Sequence, residues 1–209
     1  MKYWIKTPSY LPYIFSELVW RFSTDKPNIY LTFDDGPSSL VTEDILSILE
    51  EESIKATFFC VGKNVIKNPD LYRKIIASGH SVGNHSMTHP NGWKINSSIY
   101  QNDIDQASEL INSNLFRPPF GKLNIRSLKS LKKKFQIIMW DVVGGDFDLK
   151  LTSNEVITNV VNNVRNGSII VMHDNDKFKD LTLSSLLPII KALQEKGFCF
   201  KPIPFIPLV

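Results

Sequence analysis

The chain of 209 residues is 43% hydrophobic and 22% charged, enough apolar material for one core and the size of a single α/β domain. Its 24 basic and 21 acidic side chains nearly balance, at a formal +3. The one basic run, Lys132-Lys133-Lys134 with Lys129 before it, reads as a solvated helix end, so no nucleic-acid partner is expected. No segment approaches the roughly 20 apolar residues that span a bilayer, so no transmembrane helix is expected.

The first 20 residues look superficially like an export signal. However, Pro8, Ser9, Pro12 and Glu17 interrupt every apolar stretch, and no small-residue cleavage site follows. Residues 1–27 are therefore expected to form an N-terminal strap packed on a domain spanning 28–209, with a peripheral membrane or cell-wall contact as the alternative. With no cleavable leader visible, a cytoplasmic location is the default, and a monomer is expected. Cys60 and Cys199 each lie in an apolar run and read as buried free thiols, a bridge between neighbouring strands being the alternative.

After Pro27, short β-like runs alternate with helical patterns. Residues 28–33 read as a strand ending in the turn Asp34-Asp35-Gly36-Pro37. Val41, Ile45, Ile48 and Leu49 then recur at helical spacing over 42–51, and 55–61 is a near-continuous apolar strand. Asn68 is placed to cap a helix with Pro69 at its first position and Gly79 as its stop. A strand over 81–84 precedes a helix over 98–112, an extended segment over 115–117 and a helix over 125–134. A buried strand is expected over 135–141, and a helix over 153–164 with Val156, Val160 and Val164 on one face. Residues 168–172 form a further strand, 181–196 a helix stopped by Gly197, and 198–200 close the series. Apolar strands with helices between them imply a parallel sheet covered on both faces, and about seven such units favour a barrel over an open sheet.

The polar residues Asp34, Asp35, His85, Arg117, Asp146 and His173 fall at or just after predicted strand ends, where side chains converge on the active site of a parallel barrel. Adjacent carboxylates at the end of an apolar strand are costly unless a cation or arginine lies near. The Gly36-Pro37 turn lets both face the mouth, although a simple turn and helix cap would also account for them. In Asn84-His85-Ser86-Met87-Thr88-His89 the two histidines stand at i and i+4, which on one helical turn puts both rings on one face to share a metal. Asp35 would complete two imidazoles and a carboxylate, a ligand set that suits a hydrolytic zinc site and a non-heme iron oxygenase alike. His173 could be a general acid, a third imidazole ligand or a satisfied core residue, and His80 reads as structural. Arg117 before Pro118-Pro119-Phe120-Gly121 could orient a carboxylate, or be an ordinary surface arginine.

In this order the motifs Thr32-Phe33-Asp34-Asp35-Gly36-Pro37, His85-Ser86-Met87-Thr88-His89, Arg117-Pro118-Pro119-Phe120 and Ile170-Val171-Met172-His173 resemble those of the polysaccharide deacetylases with a NodB-homology domain, carbohydrate esterase family four. The resemblance implies a single distorted barrel of seven or eight β/α units and hydrolysis of N-acetyl groups from sugars in a glycan, such as peptidoglycan or chitin-like oligosaccharide. It implies a divalent metal on Asp35, His85 and His89, zinc first and cobalt, nickel or manganese as alternatives. Asp34 would be the general base, held by Arg117; the Phe120 N–H would face the oxyanion; His173 would be the acid, oriented by Asp146. The fourth motif departs from the family's Asp-x-x-Asp-Trp: here Val143-Gly144-Gly145-Asp146-Phe147 keeps the second aspartate only. A catalytically impaired glycan-binding barrel is therefore the alternative. Trp93 and Trp140 are further candidates for a sugar-facing aromatic, Trp140 reading rather as core.

Overall fold

The computed structural model describes residues 3–205. Its sheet is built on β1 (Asn28–Asp34), with β2 (Thr57–Cys60) on one side and β7 (Ile169–His173) on the other. Beyond β2 follow β3 (Ser81–Asn84), β4 (Leu115–Phe116) and β5 (Gln136–Ile137). Beyond β7 lies β6 (Val142–Val143), while β8 (Cys199–Phe200) pairs with the start of β1. All these ladders are parallel. The result is a curled sheet with helices outside it, the distorted α/β barrel expected from the alternation of apolar strands and helical patterns.

The two-residue period of β1 sets the layers. Leu31 and Phe33 point outward into one cluster with Ile45 and Leu49 of α2 (Thr42–Glu51) and with Leu186, Ile189, Ile190 and Leu193 of α8 (Lys179–Glu195). Tyr30 belongs instead with the lumen cluster of Phe59, Leu115, Ile138, Ile169 and Ile203. Thr32 and Asp34, in step with Tyr30, therefore face the lumen, with Asp34 at its C-terminal mouth. Between β6 and β7 runs α7 (Ser153–Val161), started by a capping box in which Thr152 and Glu155 satisfy each other's backbone N–H groups.

Several elements differ from the expectation. A short α3 (Gly62–Lys67) follows β2 directly, so Asn68 ends one helix and starts α4 (Pro69–Ala77). The Asn68 side chain does not cap α4; its Nδ2 donates to the carbonyls of Pro37 and Asn64 at 3.0 and 3.3 Å. The single strand expected over 135–141 is split into β5 and β6, and residues between them take their partners from the N-terminal segment. Val19 N–H donates to Ile137 O at 2.9 Å and Met139 N–H to Val19 O at 2.7 Å. Thr7 N–H donates to Asp141 O, and Val143 N–H to Ile5 O, both at 2.8 Å. Backbone groups that a closed ladder would satisfy are paired in this way. Trp20 is buried, whereas Trp4, Tyr10, Tyr13 and Phe15 are exposed.

Of the two thiols, Cys60 is buried and Cys199 is exposed, and both are free. The outward Cys199 follows from the alternation in β8, which turns Phe200 inward. The lysine run lies past the end of α6 (Ile125–Leu131), exposed, with Lys132 paired to Glu17. No helix of the described residues is long and apolar enough to cross a membrane.

Candidate active site

The mouth is assembled by extending the ladders one residue beyond the strands. His85 N–H donates to Cys60 O at 2.9 Å, Arg117 N–H to Asn84 O at 3.0 Å and Asp174 N–H to Asp34 O at 2.8 Å. Asp35 then leaves the strand alternation with φ of 81°, so that neighbouring aspartates both serve the mouth. Of five non-glycine residues with positive φ among those described, Asp35, Ser86, His89 and Phe120 all lie here. Such strain clusters at functional sites because the surrounding structure must hold it in place.

Asp34 meets Arg117, whose Nη1 donates to Asp34 Oδ1 at 2.6 Å and to Thr32 Oγ1 at 2.7 Å. Arg117 is fully buried; its Nε and Nη2 donate to the carbonyls of Ile138 and Met139, and its Cζ lies 4.1 Å from the centroid of the Phe59 ring. This is a built counter-charge for a buried carboxylate, and not the surface arginine that the proline-flanked segment alone allowed.

Asp35 Oδ1 lies 3.2 Å from His89 Nε2 and 3.7 Å from His85 Nε2, and ligand atoms of the three residues all fall within 4.8 Å of one another. The histidine segment is a loop, and not the helical turn expected from the i, i+4 spacing. Side chains satisfy its N–H groups: Asn84 Oδ1 accepts from Ser86, Asp103 Oδ1 from Met87 and Thr88, and Ser86 Oγ from His89. The imidazoles still meet, with ring centroids 4.9 Å apart.

His85 Nδ1 lies 2.8 Å from Arg117 O, the geometry of an Nδ1–H donor, which leaves the Nε2 lone pair toward Asp35. Burial pushes the His85 pKa down to about 4, so the ring is neutral at ordinary pH. Burial alone would raise Asp35, but the hydrogen bond with His89 and the imidazoles of His173 and His85 hold its carboxyl well below the usual carboxylate range. Two imidazole nitrogens and a carboxylate oxygen fit a divalent ion. Ligands about 2 Å from a tetrahedral centre stand about 3.3 Å apart, close to the 3.2 and 3.7 Å from Asp35 Oδ1 to the two imidazole Nε2 atoms.

On the other side, His173 Nδ1 lies 2.9 Å from Asp146 Oδ1, while Asp146 Oδ2 accepts from His173 N–H at 2.7 Å and Thr182 Oγ1 at 2.8 Å. Burial by itself would lower the His173 pKa, but the Asp146 carboxylate outweighs it and pushes the imidazole up to about 9. Phe147 packs edge-on against His173 at 5.1 Å and, tilted, against Tyr3 of the N-terminal segment at 4.8 Å. Val143 is buried in β6 beside Val171. Phe120 stands over His89, with ring centroids 4.6 Å apart. Trp93 is exposed, and Trp140 packs on the lumen cluster.

Residue types and spacing alone passed over several supports. Asn175 Nδ2 donates to Asp35 Oδ2 at 3.1 Å, and Asn64 Nδ2 to Asp35 O at 2.6 Å. Asp174, fully buried, accepts from Thr42 Oγ1 at 2.8 Å, and burial pushes its pKa up to about 8. The polar run Asp174-Asn175-Asp176 after an apolar strand was the one available signal. His80, expected to be structural, accepts the Ala56 N–H on Nδ1 at 3.1 Å.

The family model for polysaccharide deacetylases matches residues 22–135. A peptidoglycan-N-acetylglucosamine deacetylase of Bacillus cereus is 35% identical over 189 residues, 86% of this chain and 68% of the relative. A chitooligosaccharide deacetylase of Rhizobium leguminosarum bv. trifolii is 34% identical over 199 residues, 87% of this chain and 92% of the relative. Among solved structures, the Bc1960 peptidoglycan N-acetylglucosamine deacetylase superposes with a TM-score of 0.88 at 31% identity, over 95% of each chain. BA3943, a CE4 family pseudoenzyme from Bacillus anthracis, superposes with a TM-score of 0.78 at 25% identity, over 88% of this chain and 66% of the other. The motifs, the curled parallel sheet and these likenesses agree: the chain belongs to the polysaccharide deacetylase family.

Proposed function

We propose that the chain is a divalent-metal-dependent hydrolase that removes the acetyl group from N-acetylglucosamine units of a glycan. The observation that carries this reading is the pair of braced titratable groups flanking the Asp35, His85 and His89 cluster: Asp34 held by Arg117 at 2.6 Å, and His173 held by Asp146 at 2.9 Å. A glycan-binding protein has no use for a base and an acid fixed in this way.

A divalent ion on those three residues, zinc in the first instance, would supply Lewis acidity, making water a nucleophile near neutral pH and polarising the amide carbonyl. Asp34 takes the proton from the attacking water. Arg117 stands beside Asp34 as its counter-charge and fixes one of its oxygens, leaving the other for that proton. The Phe120 N–H donates to the carbonyl oxygen as negative charge develops there. His173, its Nδ1–H engaged by Asp146, gives the Nε2 proton to the leaving amine. Acetate and a free amino sugar result, with one water consumed.

A second reading is a barrel that binds glycan without turnover. Val143 and Phe147 in the fourth motif favour it, and a pseudoenzyme stands among proteins of similar structure. Acetate release from N-acetylglucosamine oligomers separates the two. The hydrolase reading expects release by the unaltered protein and none by Asp34→Asn; no release by either supports the binder.

A further inference from the structure

Beside His89 two loops form an aromatic ledge with one cation. Trp93 is 67% exposed and Phe120 51% exposed. The Lys122 Nζ lies between them, 5.4 Å from the Trp93 ring centroid and 5.9 Å from that of Phe120. Among the described residues no carboxylate comes within ion-pair distance of Lys122.

The ledge is built in advance of any ligand. Trp93 Nε1 donates to Leu123 O at 3.3 Å, which anchors the indole by its edge, and Asn124 Nδ2 donates to Gly92 O at 3.0 Å. A Cβ on Gly92 would meet Lys122 O at 2.3 Å, so the two loops lie directly on one another. Phe120 in turn contacts the His89 ring at 4.6 Å, which places the ledge next to the metal-type cluster. An exposed indole face suits the apolar C–H face of a sugar ring. An ammonium held over two rings and lacking an anionic partner suits a negative charge on that sugar.

We propose that Trp93, Phe120 and Lys122 form a flanking-sugar site that recognises a carboxylate on the residue next to the N-acetylglucosamine unit being deacetylated. This rests on the hydrolase reading for what the neighbouring cluster does. In a glycan that alternates N-acetylglucosamine with muramic acid, the sugar-borne carboxylate is the lactyl group of a muramic residue that carries no peptide stem, whereas chitin-like oligomers are neutral. Lys122 thus selects the acidic glycan.

The test compares two tetrasaccharides that differ in lactyl carboxylates, N-acetylchitotetraose and the peptide-free N-acetylglucosamine–N-acetylmuramic acid tetrasaccharide. Binding to the metal-loaded protein is read by tryptophan fluorescence immediately after mixing, before turnover. The acidic glycan should bind about fivefold tighter, the scale of one exposed ion pair, and the ratio should shrink as ionic strength rises. Lys122→Gln should bring the ratio to one, and Lys122→Arg should restore it. Equal affinities in the unaltered protein, or a preference that survives Lys122→Gln, would overturn the proposal. Acetate measured in the same samples tests the hydrolase reading separately: no acetate with the preference intact defeats that reading and leaves this one standing.

Discussion

Arg117 Nη1 donates to Asp34 Oδ1 at 2.6 Å where the arginine is wholly buried and the aspartate is 5% exposed. Removing one member of such a pair leaves an uncompensated charge, at about 3–5 kcal/mol. Arg117→Met should therefore lower stability in urea by that amount and abolish acetate release. The double variant Arg117→Met/Asp34→Asn should recover part of the stability and none of the activity. A single variant within about 1 kcal/mol of the parent would contradict a tightly coupled pair.

The His173–Asp146 contact makes a pH prediction. In the proposed reaction His173 must be protonated to act as acid, and Asp146 holds that proton to higher pH, up to about 9 in the metal-free protein. A cation on Asp35 would oppose this. Asp146→Asn removes the anion, so the alkaline limb of kcat/KM should move down, on the order of one to two units. An alkaline limb unmoved by Asp146→Asn would assign the acid role elsewhere.

His80 should make the fold acid-sensitive. Burial pushes its folded pKa down to about 4 from the ordinary 6.5, and its Nδ1 must stay unprotonated to accept the Ala56 N–H. The unfolded chain binds this proton below its ordinary pKa and the folded chain does not until about 4. Stability is thus lost as pH falls through that window, by about 3 kcal/mol in all. His85 adds a loss of the same sign in the metal-free protein, so the difference between parent and His80→Asn isolates His80. Urea denaturation at pH 7, 5.5 and 4 should give a flatter profile for the variant; equal slopes would contradict the assignment.

The N-terminal segment's seat on the barrel can be tested at Gly167. Its φ is +82°, and a Cβ there would meet Phe22 O at 1.8 Å. Gly197 has the same φ with nothing within 4 Å of its Cβ, so it serves as a control for backbone strain alone. Gly197→Ala should cost about 1 kcal/mol, and Gly167→Ala clearly more, with faster proteolysis near Phe22. Equal costs would mean that the segment yields freely.

Much of the fold was legible because β1, β2 and β7 are largely apolar runs and the longer flanking helices carry a 3.6-residue stripe. Asp34, Arg117 and His173 were conspicuous as polar residues at the ends of such runs, whereas His85, after the mixed Ser81–Asn84 strand, stood out through its spacing from His89. The metal-type triad followed from Asp35 and the spacing of His85 and His89, but the conformation joining those histidines did not. Left-handed Ser86 and His89 depend on Asp103, which is distant in sequence and looks like any polar helix residue. α3 was missed because six residues carry too little periodicity. The split between β5 and β6 was hidden because partners for residues near 138 come from Val19, a pairing that local pattern does not encode.

In the proposed reaction Asp35, His85 and His89 hold an ion on which amide hydrolysis depends. The most direct measurement is to strip the protein with a chelator, titrate zinc back and follow acetate release from N-acetylglucosamine oligomers alongside bound metal. Release should be absent in the stripped protein, rise with zinc and level off at one equivalent, while His85→Ala neither retains the ion nor turns over. Full acetate release by protein shown to be metal-free would rule out the metal requirement.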